Sequence, residues 1–477
     1  MIIKSALAAL PGLEEPRETD IRVEGGMIAE IGPALEAGSG EEVVDARGLL
    51  ALPGGIDPHV HFDDPGYTER ENFFHGSCAA ASGGITTVID MPCTSVPPVT
   101  DAESFARKFT VIELEAVVDF GLFGGVSAQS FECGFPRAME ELADLVLGFK
   151  TYFVSGMESF GRLDHYRFRA VLEKARELGL PVLLHAEDYD YVRAATAVES
   201  GKGYGPIHYY RSRPETAEVL AALAAVRLAE ETGADLHVVH VASAEVGEIL
   251  GRAAAGRREP AGARGRVSAE TAPHYLAFGL ADFERMGAVL KCVPPVKGPG
   301  NRERLWELLS GGLLDFVASD HAPCRREEKH TGSIWTDYGG IPGCGTLLPY
   351  MVSEGYLAGR LSLRRLVEVT SENAARRYGL FHRKGSLAVG KDGDFALVDP
   401  KGSWTVRGAD FFSKGKETPF EGARFRGKVV MTVVRGRVVY TAGKGITAEV
   451  GSGRLLRRGA VDFAAGYDTS AGTGAGT

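Results

Sequence analysis

The run Leu49-Leu50-Ala51-Leu52-Pro53-Gly54-Gly55-Ile56-Asp57-Pro58-His59-Val60-His61-Phe62 decides the architecture. It is a compact apolar stretch of strand character that ends on two histidines spaced by one residue, and it is the first of a series. Seven similar runs follow at Ile85 to Met91, Val117 to Val126, Leu145 to Val154, Pro181 to Glu187, Asp235 to Ala242, Arg266 to Tyr275 and Asp315 to His321. Segments of helical period separate them, among them Tyr166 to Leu178, followed by Gly179 as a C-cap, and Glu215 to Thr232. Eight strands alternating with helices predict an α/β protein, a (β/α)8 TIM barrel spanning residues 54–380, with its active site at the C-terminal ends of the strands.

Outside that span the texture changes. Residues 1–53 alternate apolar and polar positions between glycine turns, as in Asp20-Ile21-Arg22-Val23-Glu24-Gly25-Gly26-Met27-Ile28, and so does the stretch 381–446. The two chain ends are expected to pair into one small β-sandwich. The opening Met1-Ile2-Ile3-Lys4 reads as its first strand and not as a secretion signal, since no basic region precedes the apolar run. Residues 447–477 lose periodicity toward a Gly/Ala/Ser/Thr-rich end and predict a disordered tail.

Period-two alternation points His59 and His61 to one face of the first barrel strand. Alone, such a pair is more often a coincidence of core or surface than a metal site. Other strand ends add Lys150, His185, His240 and Asp320, so five strands contribute to a common rim. A lysine inside an apolar strand is costly to bury as an ammonium, and by itself it reads as half of a salt bridge. Four imidazoles and a carboxylate around it favour a metal site instead. His237, at odd spacing from His240, is expected to face away and be structural; His274 fits the site or the core equally well.

The formal net charge of -10 disfavours nucleic acid and anionic membrane as partners, because both select for basic excess. No apolar run approaches the roughly 20 residues of a membrane span. The cysteines at 78, 93, 133, 292, 324 and 344 form no CxxC pair, which predicts a reduced, cytoplasmic setting. Cys324 and Cys344 lack a second thiol at metal spacing and read as small buried residues.

Taken in order, Gly55-Ile56-Asp57-Pro58-His59-Val60-His61-Phe62, Gly83-Gly84-Ile85-Thr86-Thr87-Val88-Ile89-Asp90-Met91-Pro92, Gly148-Phe149-Lys150, Ser212-Arg213-Pro214, Glu270-Thr271-Ala272-Pro273-His274-Tyr275 and Ser319-Asp320-His321-Ala322-Pro323-Cys324 resemble the cyclic amidohydrolase group of allantoinases, dihydroorotases and hydantoinases. The resemblance spans roughly residues 1 to 445. It implies two divalent ions, usually Zn2+, with His59, His61 and Asp320 on one, His185 and His240 on the other, and a carboxylated Lys150 bridging both. It also implies that the ions activate a water and polarise the substrate carbonyl, while Asp320 carries a proton to the leaving nitrogen. A homo-oligomer, dimer or tetramer, is implied as well. A non-catalytic scaffold relative is the rival reading, but all six metal-binding positions are filled.

Within the group, dihydroorotases carry an arginine, an asparagine, another asparagine and a histidine where this chain has Asp63, Cys93, Val293 and Cys324. An acid in place of an arginine repels a carboxylated ring. Hydantoinases place a tyrosine where Ser155 stands. Allantoinases match better through Phe62-Asp63-Asp64-Pro65-Gly66, Lys291-Cys292 and Gly339-Gly340-Ile341, although they usually show Trp at Arg70 and Leu-Asn at Cys93-Thr94. The ranking is allantoin first, another neutral cyclic ureide or imide second (the substrate of a hydantoinase or dihydropyrimidinase), and dihydroorotate third. Asp63, Cys93, Ser155, Val293 and Cys324 are the candidate substrate contacts.

Overall fold

The computed structural model describes residues 1–255 and 265–459. The barrel strands are Gly55–Val60, Ile85–Asp90, Asp119–Leu122 (resuming after Phe123 as Gly124–Gly125), Phe149–Tyr152, Val182–His185, Leu236–Val238, Val267–Thr271 and Phe316–Val317. Each pairs in parallel with the next. A parallel bridge from Val60 to His321 joins the last strand back to the first. Every strand residue is buried, which is why these segments read as continuous apolar runs and not as alternations. The helix Glu215–Thr232 has the expected bounds and stops at Gly233, whose φ of 69° is the left-handed C-cap. The helix His165–Glu177 begins one residue ahead of the sequence expectation, capped by Asp164 accepting from the Arg167 N–H.

Both chain ends build one nine-stranded sheet. Its seam is Leu50–Pro53, which pairs in parallel with Ile2–Ala8 on one side and antiparallel with Phe395–Thr405 on the other. The sheet closes over itself, as Met27 bridges Asp392, around a core of Ile3, Ile21, Val23, Ile28, Phe395, Leu397 and Val433.

Two expectations need correction. Leu49 to Phe62 is not one strand but two, Leu50–Pro53 in the sheet and Gly55–Val60 in the barrel. Gly54 is the corner between them: its N–H reaches the Asp394 carbonyl at 3.0 Å, and a Cβ there would lie 2.1 Å from Thr86 Oγ1. The sequence is equally apolar on both sides of that corner, so hydrophobicity alone does not mark it. Residues 447–459 are the second correction, because they run beside barrel strand three and not as a free tail. Phe120 N–H donates to the Arg454 carbonyl at 2.9 Å and Leu456 N–H to the Phe120 carbonyl at 2.7 Å. One buried side chain, Leu456, anchors this segment, too little to create a period in the sequence. Residues 460–477 of the expected tail lie outside the described residues.

A buried charge cluster ties sheet to barrel at the N-terminal end of barrel strand three. Asp119 lies 2.6 Å from Lys384 Nζ and 3.1 Å from Arg435, and Lys384 also meets Asp392 and Asp394 at 2.9 and 2.7 Å. The three carboxylates could suggest a second cation site, but the two basic side chains already occupy it.

Candidate metal centre

His59 lies in barrel strand one and His61 just past its end at Val60, and both rings meet Asp320 at the barrel mouth. Their register is set by His61 N–H donating to the His321 carbonyl at 2.8 Å and His321 N–H donating to that of His59 at 3.2 Å. Asp320, just past strand eight, has a φ of 48°, the left-handed region that aspartate tolerates better than most residues. That backbone turn brings Asp320 Oδ1 to 3.3 Å from His59 Nε2 and 3.4 Å from His61 Nε2. His240, with a φ of 40°, is turned in the same way, and its Nε2 lies 3.0 Å from His185 Nδ1. The His59 and His240 rings are 5.3 Å apart, so the two groups face each other across the barrel mouth. Lys150 Nζ is buried and has no hydrogen-bond partner. The structure therefore brings all six sequence-selected residues to one rim.

The electrostatics favour donors with free lone pairs. Burial holds His59 and His240 well below the ordinary imidazole range, and lowers His185 as well, so these rings are neutral near pH 7. Burial also depresses Lys150 to about 8, against the opposing pull of Cys93, Glu270 and Asp320. The same burial would raise the Asp320 carboxyl, but the imidazoles of His59, His61 and His240 outweigh it and hold the group well below the usual carboxylate range. Three neutral imidazoles, an ionised carboxylate and an amine without a partner suit divalent ions; the fourth ring, His61, is pushed up to about 10 against its burial by Cys93 and Asp320, so it must give up a proton to ligate.

Comparison with known proteins places this geometry. The Amidohydrolase family model matches residues 50–439. This chain belongs to the amidohydrolase family. Among its relatives, an allantoinase of Rubrobacter xylanophilus is 41% identical over 92% of this chain and 94% of its own length. The allantoinase of Deinococcus radiodurans is 35% identical over 96% of this chain and 98% of its own. Of solved structures, the L-hydantoinase (dihydropyrimidinase) of Arthrobacter aurescens superposes with a TM-score of 0.90 at 31% identity, covering 96% of this chain and 99% of that one.

This amidohydrolase surrounds its rim with acidic partners that sequence reading passed over. Glu270 Oε1 takes His59 Nδ1 at 2.5 Å while its Oε2 takes His237 Nε2 at 3.1 Å. Glu187 Oε2 holds His185 Nε2 at 2.9 Å and is itself paired with Arg213. Such partners fix the tautomer and aim of a ligand histidine. The spacing His185-Ala186-Glu187 was the available signal, since residues two apart share a strand face. His237 corrects the parity argument: it points into the barrel against Glu270 and Phe316. The strand ends at Val238, so alternation cannot be counted on to His240 with its left-handed backbone.

The candidate substrate contacts separate. Cys93 joins the rim, 3.7 Å from His61 Nδ1 and 3.1 Å from the Tyr152 hydroxyl, which sequence reading did not select. Asp63 is buried with neither oxygen hydrogen-bonded, and burial pushes its carboxyl up to about 8. Ser155 is committed elsewhere, its hydroxyl donating to the Phe160 carbonyl at 2.6 Å. Val293 packs near Gly339, and Cys324 is half-buried, its thiol pushed up to about 11 by burial. His274 is buried beside Tyr275 with its Nε2 unpartnered, and burial depresses it to about 4.

Proposed function

We propose that this enzyme opens the ring of a neutral cyclic ureide by hydrolysing an amide C–N bond, and that its substrate is allantoin, converted to allantoate. The chain is a cyclic amidohydrolase, and the observation that carries the reading is the convergence of His59, His61, His185, His240 and Asp320 around an unpartnered Lys150. Identity to proteins named allantoinase over nearly the whole chain supports the choice of ring.

In this reading His59, His61 and Asp320 hold one divalent ion, His185 and His240 the other, and Lys150, carboxylated by CO2, spans both. Two Zn2+ ions fit the imidazole-rich set. Once bound, such ions acidify water and polarise a carbonyl. Asp320 receives the proton released by the attacking water and delivers it to the leaving ring nitrogen, a transfer suited to a carboxylate that both groups can reach. Glu270 and Glu187 keep His59 and His185 in the tautomers that present lone pairs to the centre. Asp63, raised to about 8 by burial and so protonated near pH 7, offers one donor and one acceptor to the C=O and N–H groups of a ureide, and gives a carboxylated ring no cation to bind.

A panel of allantoin, hydantoin, dihydrouracil and dihydroorotate tests the assignment, with allantoin expected to turn over fastest. Faster turnover of dihydroorotate overturns the ranking. A metal content near zero that zinc plus bicarbonate cannot restore would mean a scaffold and not an enzyme. No helix among the described residues is long and apolar enough to cross a membrane, and the six cysteines are unpaired. Free thiols fit a reducing, cytoplasmic setting, and the family resemblance implies a dimer or tetramer.

A further inference from the structure

Asp320 keeps its left-handed backbone because its neighbours are fixed on both sides. Ser319 N–H donates to Asp57 Oδ1 at 3.0 Å. On the other side, the two backbone bonds of His321 to His59 and His61 stitch strand eight to strand one. The His321 ring is buried, and both of its nitrogens have assigned partners. Nδ1 accepts from the N–H groups of Gly343 and Cys344 at 3.1 and 3.3 Å, which leaves the ring proton on Nε2, 3.2 Å from Glu71 Oε2. Glu71 is fully buried, and the same oxygen accepts the Ser413 hydroxyl at 2.5 Å. Ser413 lies between the strands Phe395–Thr405 and Arg424–Val434, so it is supplied by the C-terminal part of the chain.

The ring also packs edge-on against Phe62, with ring centroids 5.5 Å apart. A cavity of about 160 Å³ between barrel and sheet, lined by Trp404, Phe411, Phe412 and Tyr440, borders both His321 and Ser413. The geometry points to Ser413, Glu71 and His321 as positioning residues that hold Asp320 in place for proton transfer. Ser413 orients Glu71, Glu71 orients His321, and the His321 backbone sets the turn that aims Asp320 at His59 and His61. None of the three belongs to the metal-holding set. Only the kinetic part of the following test rests on the activity proposed above.

The test uses the full-length, metal-loaded enzyme with Glu71→Gln and, separately, Ser413→Ala. Glu71→Gln is expected to lower kcat by about 10–100-fold with KM nearly unchanged, and to speed metal loss to a chelator by a similar factor. Ser413→Ala should move both readouts in the same direction by less. Wild-type kcat per folded molecule together with wild-type chelation kinetics, whatever the melting temperature, overturns the proposal. If Glu71→Gln does not fold, Ser413→Ala decides alone, because it deletes a single hydroxyl. Should the parent enzyme open none of the cyclic amides, the substrate reading fails, while the chelator kinetics still judge the positioning chain.

Discussion

Lys150 and Asp63 present two kinds of buried group with nothing to bond to. An amine left alone in full burial is unfavourable, and the proposed carboxylation would replace it by an oxygen donor whose negative charge bound divalent ions would compensate. Lys150→Ala is therefore expected to abolish turnover, with partial return on adding short carboxylic acids; steady-state rates with and without acetate check it. Asp63 has its own consequence. Pushed up to about 8 by burial, it is protonated near pH 7 and has one donor and one acceptor unmet, and a hydrogen bond between neutral groups contributes about 0.5–1.5 kcal/mol. Asp63→Ala should lower kcat/KM for allantoin by roughly 2–13-fold, from the same energy expressed as a rate ratio. Of the individual residues, those with unusual chemistry for their strand, His59, Lys150 and Asp320, were legible in the sequence. Tyr152 and Glu270 were not, because an aromatic or an acid in a strand has many ordinary explanations and only its partner distinguishes them.

Barrel strand seven acts through Glu270, which grips His59 with one oxygen and His237 with the other. Glu270→Gln keeps the shape but replaces one of the two acceptor oxygens by an amide donor, so it no longer grips both rings, and metal affinity should fall by about 10–100-fold, read by titration with a chelating dye. Apolar runs located the barrel strands well, since burial on both faces leaves little choice of residue. They failed where an element ends. Gly54 separates sheet from barrel inside one apolar stretch, and the left-handed turns at His240 and Asp320 break the parity on which any inward-or-outward count depends. Such turns concentrate where function demands an unusual aim, so the rim is where strand arithmetic is least dependable.

For the molecule as a whole, the alternation of strands and helices announced the barrel, and similar texture at both ends announced their pairing. How the parts are joined depends on long-range contacts without a local pattern. Asp119 is the central example, buried against Lys384 and Arg435. Removing one member of a buried ion cluster leaves the others uncompensated, at a cost of about 3–5 kcal/mol. Asp119→Ala is expected to lower the urea midpoint accordingly while the pocket chemistry of the folded fraction is kept; equilibrium unfolding followed by activity measures both. The same cluster orders events during synthesis. Asp119 leaves the ribosome long before Lys384 and Arg435, and the strand that closes against His59 follows only near residue 321. A chain cut before Lys384 lacks both cations that neutralise Asp119, and such truncated chains are expected to be degraded faster than the full chain.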